Sequence, residues 1–218
     1  SMDLRRYIFD TWRGTAERYG FREYDGPPIE ELDLYTKKSG DEIVGQLYNF
    51  TDKGDRNVSL RPEMTPTLAR MAAAHTRNYK KPIKWFSIPQ LFRYERQQKG
   101  RLREHFQFNA DIIGEEHLAA DAELIALLID TLRDLKLTSD DFVVRLSSRS
   151  AWQDFFENGG GQEKDANDFY QIIDKLERED PAVSGDKLAK LGFSLEQVND
   201  FIESGQPTNE LAAILANI

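Results

Sequence analysis

Residues 91–113, LFRYERQQKGRLREHFQFNADII, carry the side chains of this 218-residue chain best suited to chemistry. Side chains two apart along a strand share a face. His105, Gln107, Asn109 and Asp111 therefore fall on one side of the return limb, and Phe106, Phe108, Ala110 and Ile112 on the other. The apolar side is core. The polar side is approached by Arg93 and Glu95 of the outgoing limb and reads as the floor of a polar pocket, since strand faces turned to water more often carry Thr, Lys, Glu or Arg. Arg96, Lys99, Arg101 and Arg103 at the crest concentrate enough positive charge to hold a polyphosphate. Such a constellation needs two strands joined by a basic loop.

The surrounding sequence supplies elements that can position it. Ile8, Phe9, Trp12, Ala16 and Tyr19 recur at helical spacing, with Gly20 as a stop. A strand is expected over Phe21–Tyr24, and a hairpin over Leu47–Thr51 and Asn57–Leu60. Thr65 reads as the cap of a helix with Pro66 at its first position, and Leu68, Met71, Ala72 and His75 as its buried stripe, with His75 a packed core histidine. Lys84–Ile88 reads as a strand, 119–136 as a long helix and Phe142–Ser147 as a returning strand. Beyond 147 the pattern changes to Gly159-Gly160-Gly161 and short amphipathic helices at Asp168–Glu179, Asp186–Leu191, Ser194–Ile202 and Thr208–Ala216, with a capping box at Ser194 and Gln197.

Composition sets bounds. A chain that is 39% hydrophobic and 31% charged reads as one large globular domain, or one domain with a small appendage. No apolar run approaches the roughly 20 residues needed to cross a bilayer, and no signal-peptide pattern opens the chain. The absence of cysteine excludes disulfides and thiolate metal sites, and the three scattered histidines argue against zinc. A cytoplasmic location without a membrane partner is expected. The net charge of −9 argues against a general nucleic-acid binder. Residues 80–110 nevertheless hold eight basic residues against two acids, which suits a phosphate-bearing ligand.

The segment 91–113 resembles motif 2 of class II aminoacyl-tRNA synthetases in the form found in histidyl-tRNA synthetases: F-R-Y-E-R on the outgoing limb, K-G-R-L-R-E in the loop, and Gln107 followed four residues later by Asp111. LRPEMTPTLAR at 60–70 is similar to that family's substrate-binding L-R-P-E-x-T, and ERYGFREYDGPPIEELDLY at 17–35 to motif 1. The resemblance implies an α+β fold, an antiparallel β-sheet flanked by helices and incomplete here, over residues 1–147, followed by a small helical insertion over 148–218. It implies a histidine–tRNA ligase: ATP-dependent activation of L-histidine to histidyl-adenylate, transfer to tRNA(His), and a homodimer with Pro27 at its motif 1 interface. Mg²⁺ is expected with ATP, without a metal site of the protein's own.

By the same resemblance, Arg93 is the catalytic guanidinium at the α-phosphate, beside the histidine as well. Glu95 accepts from the adenine amino group, and Arg101 reaches the γ-phosphate. Glu63 and Thr65, helped by Gln107, hold the α-amino group, and Asp111 meets the imidazole. His105 stands where the family usually has the phenylalanine that stacks on adenine. Parity turns Phe106 away, so His105 is expected to stack, more weakly. Met64 replaces a common glycine and is expected to narrow the room beside the substrate. The run IIDKLERED at 172–180 is similar to a helix of the family's insertion, which leaves contact with the tRNA acceptor stem and a packing role both open.

The family's R-G-x-x-Y-Y loop, motif 3 arginine and anticodon-binding domain have no counterpart in these residues. The resemblance therefore reaches the N-terminal portion of a synthetase, and the isolated chain is expected to lack aminoacylation activity. The competing reading is a non-catalytic histidine sensor such as the regulatory subunit of ATP phosphoribosyltransferase, whose R-P-x-M-T-P flavour is shared by Arg61–Pro66. Arg93, Glu95 and Arg101 stand against it, since a sensor has no need of an ATP-binding set.

Overall fold

The computed structural model describes residues 1–39, 41–94, 102–205 and 209–216. By internal contacts the chain divides into two units, Ser1–Asp141 and Phe142–Ile218. The first opens with helix α1 (Met2–Arg18), capped by the Ser1 side chain. Its apolar stripe is covered by aromatic rings: Phe9 meets Phe106 edge-on at 5.0 Å, and Trp12 stacks on Phe108 at 5.6 Å. Helix α4 (Ala119–Asp134) lies beside α1. The Thr15 hydroxyl donates to Asp134 at 2.6 Å and the Tyr19 hydroxyl to Asp130 at 2.7 Å. Ala16, Phe21, Phe86 and Leu127 form the core between helices and sheet.

That sheet has the order β1 (Arg22–Glu23), β5 (Ile83–Ser87), β8 (Asn109–Ile113). β5 and β8 are antiparallel, and the short β1 runs parallel to β5. A second small sheet contains β2 (Ile29–Glu31), β4 (Asn57–Leu60) and β3 (Asn49–Thr51), all antiparallel. In sequence, helix α2 (Asp33–Ser39) lies between β2 and β3, and helix α3 (Thr65–Ala74) between β4 and β5. β6 (Gln90–Phe92) and β7 (Glu104–Phe106) make a two-stranded ladder.

The long hairpin is thus split into two ladders, β5/β8 and β6/β7, and the expected single return strand is interrupted at Gln107 and Phe108. The cause sits on the opposite limb: Pro89 has no N–H to donate into the ladder, although its carbonyl still accepts from the Gln107 N–H at 3.2 Å. The register survives the bend, because Ser87 opposes Asn109 and Gln90 opposes Phe106. Alternation therefore holds across the interruption. Phe86 and Phe108 face the helices.

Three further expectations are corrected. Thr65 is the first residue of α3, not its cap; Met64 holds the cap position and no side chain bonds there, leaving Pro66 to supply the N-terminal signal. His75 is exposed at the end of α3, edge-on to Tyr79, because the helix stops before the stripe returns to the core. No strand forms over 142–147.

The second unit contains helices α5 (Arg149–Asn158), α6 (Ala166–Lys175), α7 (Pro181–Lys190), α8 (Leu195–Ser204) and α9 (Asn209–Leu215). Ser148 caps α5, Asp180 caps α7, and the Ser194–Gln197 capping box opens α8. Trp152, Phe156, Phe169, Leu188, Phe193 and Val198 form a core that is largely aromatic. The triple glycine does more than break the chain. A Cβ at Gly159 would lie 2.4 Å from the Phe193 ring, and one at Gly161 would lie 2.5 Å from Phe156, so both glycines let backbone lie flat against rings.

Candidate functional site

Arg93 follows β6. Its N–H donates to the Arg103 carbonyl at 2.8 Å, which continues the hairpin register past Phe92 and Glu104. By that register Arg93, His105, Gln107, Asn109 and Asp111 share one face, together with Trp85 and Ser87 of β5. Phe106 is on the other face, against Phe9 and 5.2 Å below the Arg5 guanidinium, so it cannot reach the polar side. His105 is half-buried opposite the fully buried Leu91. Gln107 is exposed, while Arg93 and Asp111 are half-buried. Glu95 and Arg101 lie outside the described residues.

The segment after β4 is drawn to this ribbon by backbone bonding. The Phe92 N–H donates to the Arg61 carbonyl at 2.9 Å, and the Arg93 Nε to the Pro62 carbonyl at 3.2 Å. Glu63, half-buried, therefore follows directly on the residue that Arg93 touches. Arg61 is the clamp. Only 5% exposed, it donates to the Gln90 carbonyl at 3.0 Å, to Asp25 at 2.8 Å and to the Gly26 carbonyl at 2.8 Å, tying three chain segments together. Met64 is turned into the interior with its sulfur 3.8 Å from Arg61, under Gly26. It backs the segment and does not narrow open space. Thr65 is exposed and lines a cavity of about 830 Å³ between α2 and α3, apart from the ribbon face. Pro27, between β1 and β2, is exposed.

Beneath the polar face, burial governs the electrostatics. Desolvation pushes the Asp111 carboxyl above the usual carboxylate range. The Tyr24 hydroxyl is pushed up to about 12, first by burial and further by Asp111 and Asp25, while its neighbours Ser87 and Arg61 oppose the shift. The Tyr24 and Ser87 hydroxyls are both buried, and Ser87 is the group placed to bond the Tyr24 hydroxyl. Tyr24, Ser87, Trp85 and Arg61 are site components that motif spacing alone did not single out. Extending the alternation back along β5 finds Trp85 and Ser87, but nothing local marks Tyr24 or the burial of Arg61.

The helix-flanked antiparallel ribbon, with an arginine and a carboxylate on its open face, has the class II synthetase catalytic fold of its solved structural neighbours. Among solved structures, that of histidyl-tRNA synthetase from Nostoc sp. PCC 7120 superposes with a TM-score of 0.77 at 26% identity, over 93% of this chain and 44% of that one. An ATP phosphoribosyltransferase regulatory subunit/histidyl-tRNA synthetase from Bacillus halodurans C shares the fold at a TM-score of 0.72 and 20% identity, over 92% of this chain and 50% of that one. A family model described as Histidyl-tRNA synthetase matches residues 2–199, and the chain belongs to that family. Histidine–tRNA ligase from Opitutus terrae is 52% identical over 174 residues, which is 80% of this chain and 40% of that protein. The enzyme of the same name from Haloarcula marismortui is 43% identical over 202 residues, 93% of this chain and 46% of that protein. The chain spans less than half the length of these relatives.

Proposed function

We propose that this chain supplies the ATP- and histidine-binding ribbon of a histidine–tRNA ligase, which activates L-histidine as histidyl-adenylate and transfers it to tRNA(His). The observation that carries this reading is the unbroken register that keeps Arg93, Gln107 and Asp111 on one face, with Glu63 brought in beside Arg93. The histidine carboxylate attacks the α-phosphorus of ATP and pyrophosphate leaves. The protein's part is to hold the two substrates in line and to offset developing charge. The Arg93 fork suits two phosphate oxygens at once, which lysine cannot match. Glu63 and Gln107 accept from the ammonium group, and Asp111 accepts from an imidazole N–H. His105 lies under adenine. Glu95 and Arg101 complete the nucleotide contacts, and Mg²⁺ bound with ATP would neutralise phosphate charge. We assign residues 1–147 to this catalytic core and 148–218 to a helical insertion. The working form is a cytoplasmic homodimer with Pro27 at its interface. No helix among the described residues is long and apolar enough to cross a membrane.

The fold shared with the ATP phosphoribosyltransferase regulatory subunit/histidyl-tRNA synthetase from Bacillus halodurans C keeps the histidine-sensor reading in view. Equilibrium ATP binding separates the two. The ligase reading expects ATP binding that weakens at least tenfold in Arg93→Ala, about 1.4 kcal/mol. An Arg93→Ala chain that binds ATP as tightly as the parent, or a parent that binds histidine but no ATP, refutes the ligase assignment.

A further inference from the structure

A cavity of about 310 Å³ opens at the edge of the sheet where β1 meets β5, lined by Arg22, Lys80, Lys81, Lys84, Tyr79 and Trp85, among others. Lys84 is committed: it bonds Glu123 and the Tyr19 carbonyl and lies 4.8 Å from the Phe21 ring centroid. Arg22, Lys80 and Lys81 have no carboxylate within ion-pair distance among the described residues. All three are exposed, but Lys81 is not loose, because its methylene stem packs over Gly114, where a Cβ would come within 2.7 Å of it. Arg22 is held opposite Trp85 by the parallel register. The Tyr79 ring meets Trp85 edge-on at 5.0 Å, and Tyr24 leans on Trp85 from its own side at 5.5 Å, which fixes an aromatic wall beside the cations.

Three cations without an ion-pair partner among the described residues thus gather at one hollow of a chain whose net charge is −9. Among the described residues no carboxylate pairs with Arg22, Lys80 or Lys81, and Tyr79 and Trp85 line the hollow beside them, the side-chain type on which bases of any sequence stack. We propose that this cavity is a phosphate-binding site, separate from the basic loop of the long hairpin, that takes a phosphate group carried next to a planar base. RNA and a free nucleotide both present that chemistry. The hollow shares Trp85 with the polar face of the long hairpin, but the inference needs no part of the ligase reading.

The test is lysine footprinting on the full chain, with Lys80 and Lys81 acetylated in the presence of unfractionated tRNA, ATP or inorganic phosphate. Labelling of both lysines is expected to slow at least threefold with tRNA or with ATP, and equally in Arg93→Ala. Protection by tRNA alone identifies a polynucleotide, and protection by ATP a mononucleotide. The Lys80→Glu/Lys81→Glu chain, altered only at exposed positions, is expected to bind the protecting probe at least tenfold more weakly. If tRNA is the protecting probe, its salt slope is expected to drop by about 1.4, as for two lost contacts to single-stranded phosphate. Equal labelling rates with and without every probe overturn the proposal, as does unchanged affinity in the double variant.

Discussion

Asp111 is the residue where burial has the most direct consequence. Its carboxyl titrates above the ordinary range because desolvation disfavours the charged form. Between the unfolded value, about 3.9, and the higher folded one, the native chain holds more protons than the unfolded chain. Stability therefore falls as pH rises through that window. In Asp111→Asn the amide does not ionise, so the variant is expected to melt no lower than the parent near neutral pH, with the gap closing once the parent's carboxyl is protonated. Thermal melts of both chains from acid to neutral pH check this, and parallel curves would count against it. Under the ligase reading the same variant weakens histidine binding at least tenfold in titration calorimetry, so that site residue and stability liability coincide. Arg93→Lys is expected to recover only a small part of the ATP affinity lost in Arg93→Ala, because an ammonium replaces a planar fork with a single point charge.

At the scale of elements, the ribbon holds its register through a proline and draws the 61–63 segment alongside. Arg61 makes that docking possible by donating to Asp25, Gly26 and Gln90 at once. Arg61→Met keeps most of the bulk and loses these bonds, leaving two backbone carbonyls without a donor, so a loss of about 2–3 kcal/mol is expected by denaturant unfolding. In the second unit, Gly161→Ala drives a methyl into the Phe156 ring. It is expected to cost about 1–3 kcal/mol, whereas the same change at Gly185, with only a 3.9 Å neighbour, serves as a mild control. The hairpins, most of the helices and the Ser194–Gln197 box were legible from spacing because each is a local pattern, whereas α2 and α5 were not singled out. His75 was not. Helical periodicity assigned it to the buried stripe, but α3 ends one residue earlier. Thr65 likewise had the composition of a cap, while the backbone began the helix at its own position.

For the molecule as a whole, two cores matter more than one boundary. The core around Ala16, Phe21, Phe86 and Leu127 belongs to the first unit, and the aromatic core of Trp152, Phe156, Phe169 and Phe193 to the second. The contacts divide the chain at Asp141, ahead of the expected change of character at 147, with a stretch that is neither helix nor strand between. Each unit buries its own apolar surface, the main driving force of folding. Residues 142–218 expressed alone are therefore expected to show a helical circular dichroism spectrum and a cooperative melt. A spectrum of unstructured chain would mean that the second unit depends on the first.

Alternation along 105–111 was decided by the sequence alone, because the two-residue period of a strand is a property of the backbone and needs no partner to define it. The spacing of the arginines, the glutamine and the carboxylates, and with it the resemblance, followed from the same local order. Only the tertiary structure decided that Arg61 is buried as a clamp, that Met64 backs the segment from inside, and that Tyr24 and Ser87 lie desolvated beside Asp111. Those outcomes arise from segments far apart in the chain excluding water from one another, and no window of neighbouring residues encodes which segments will meet.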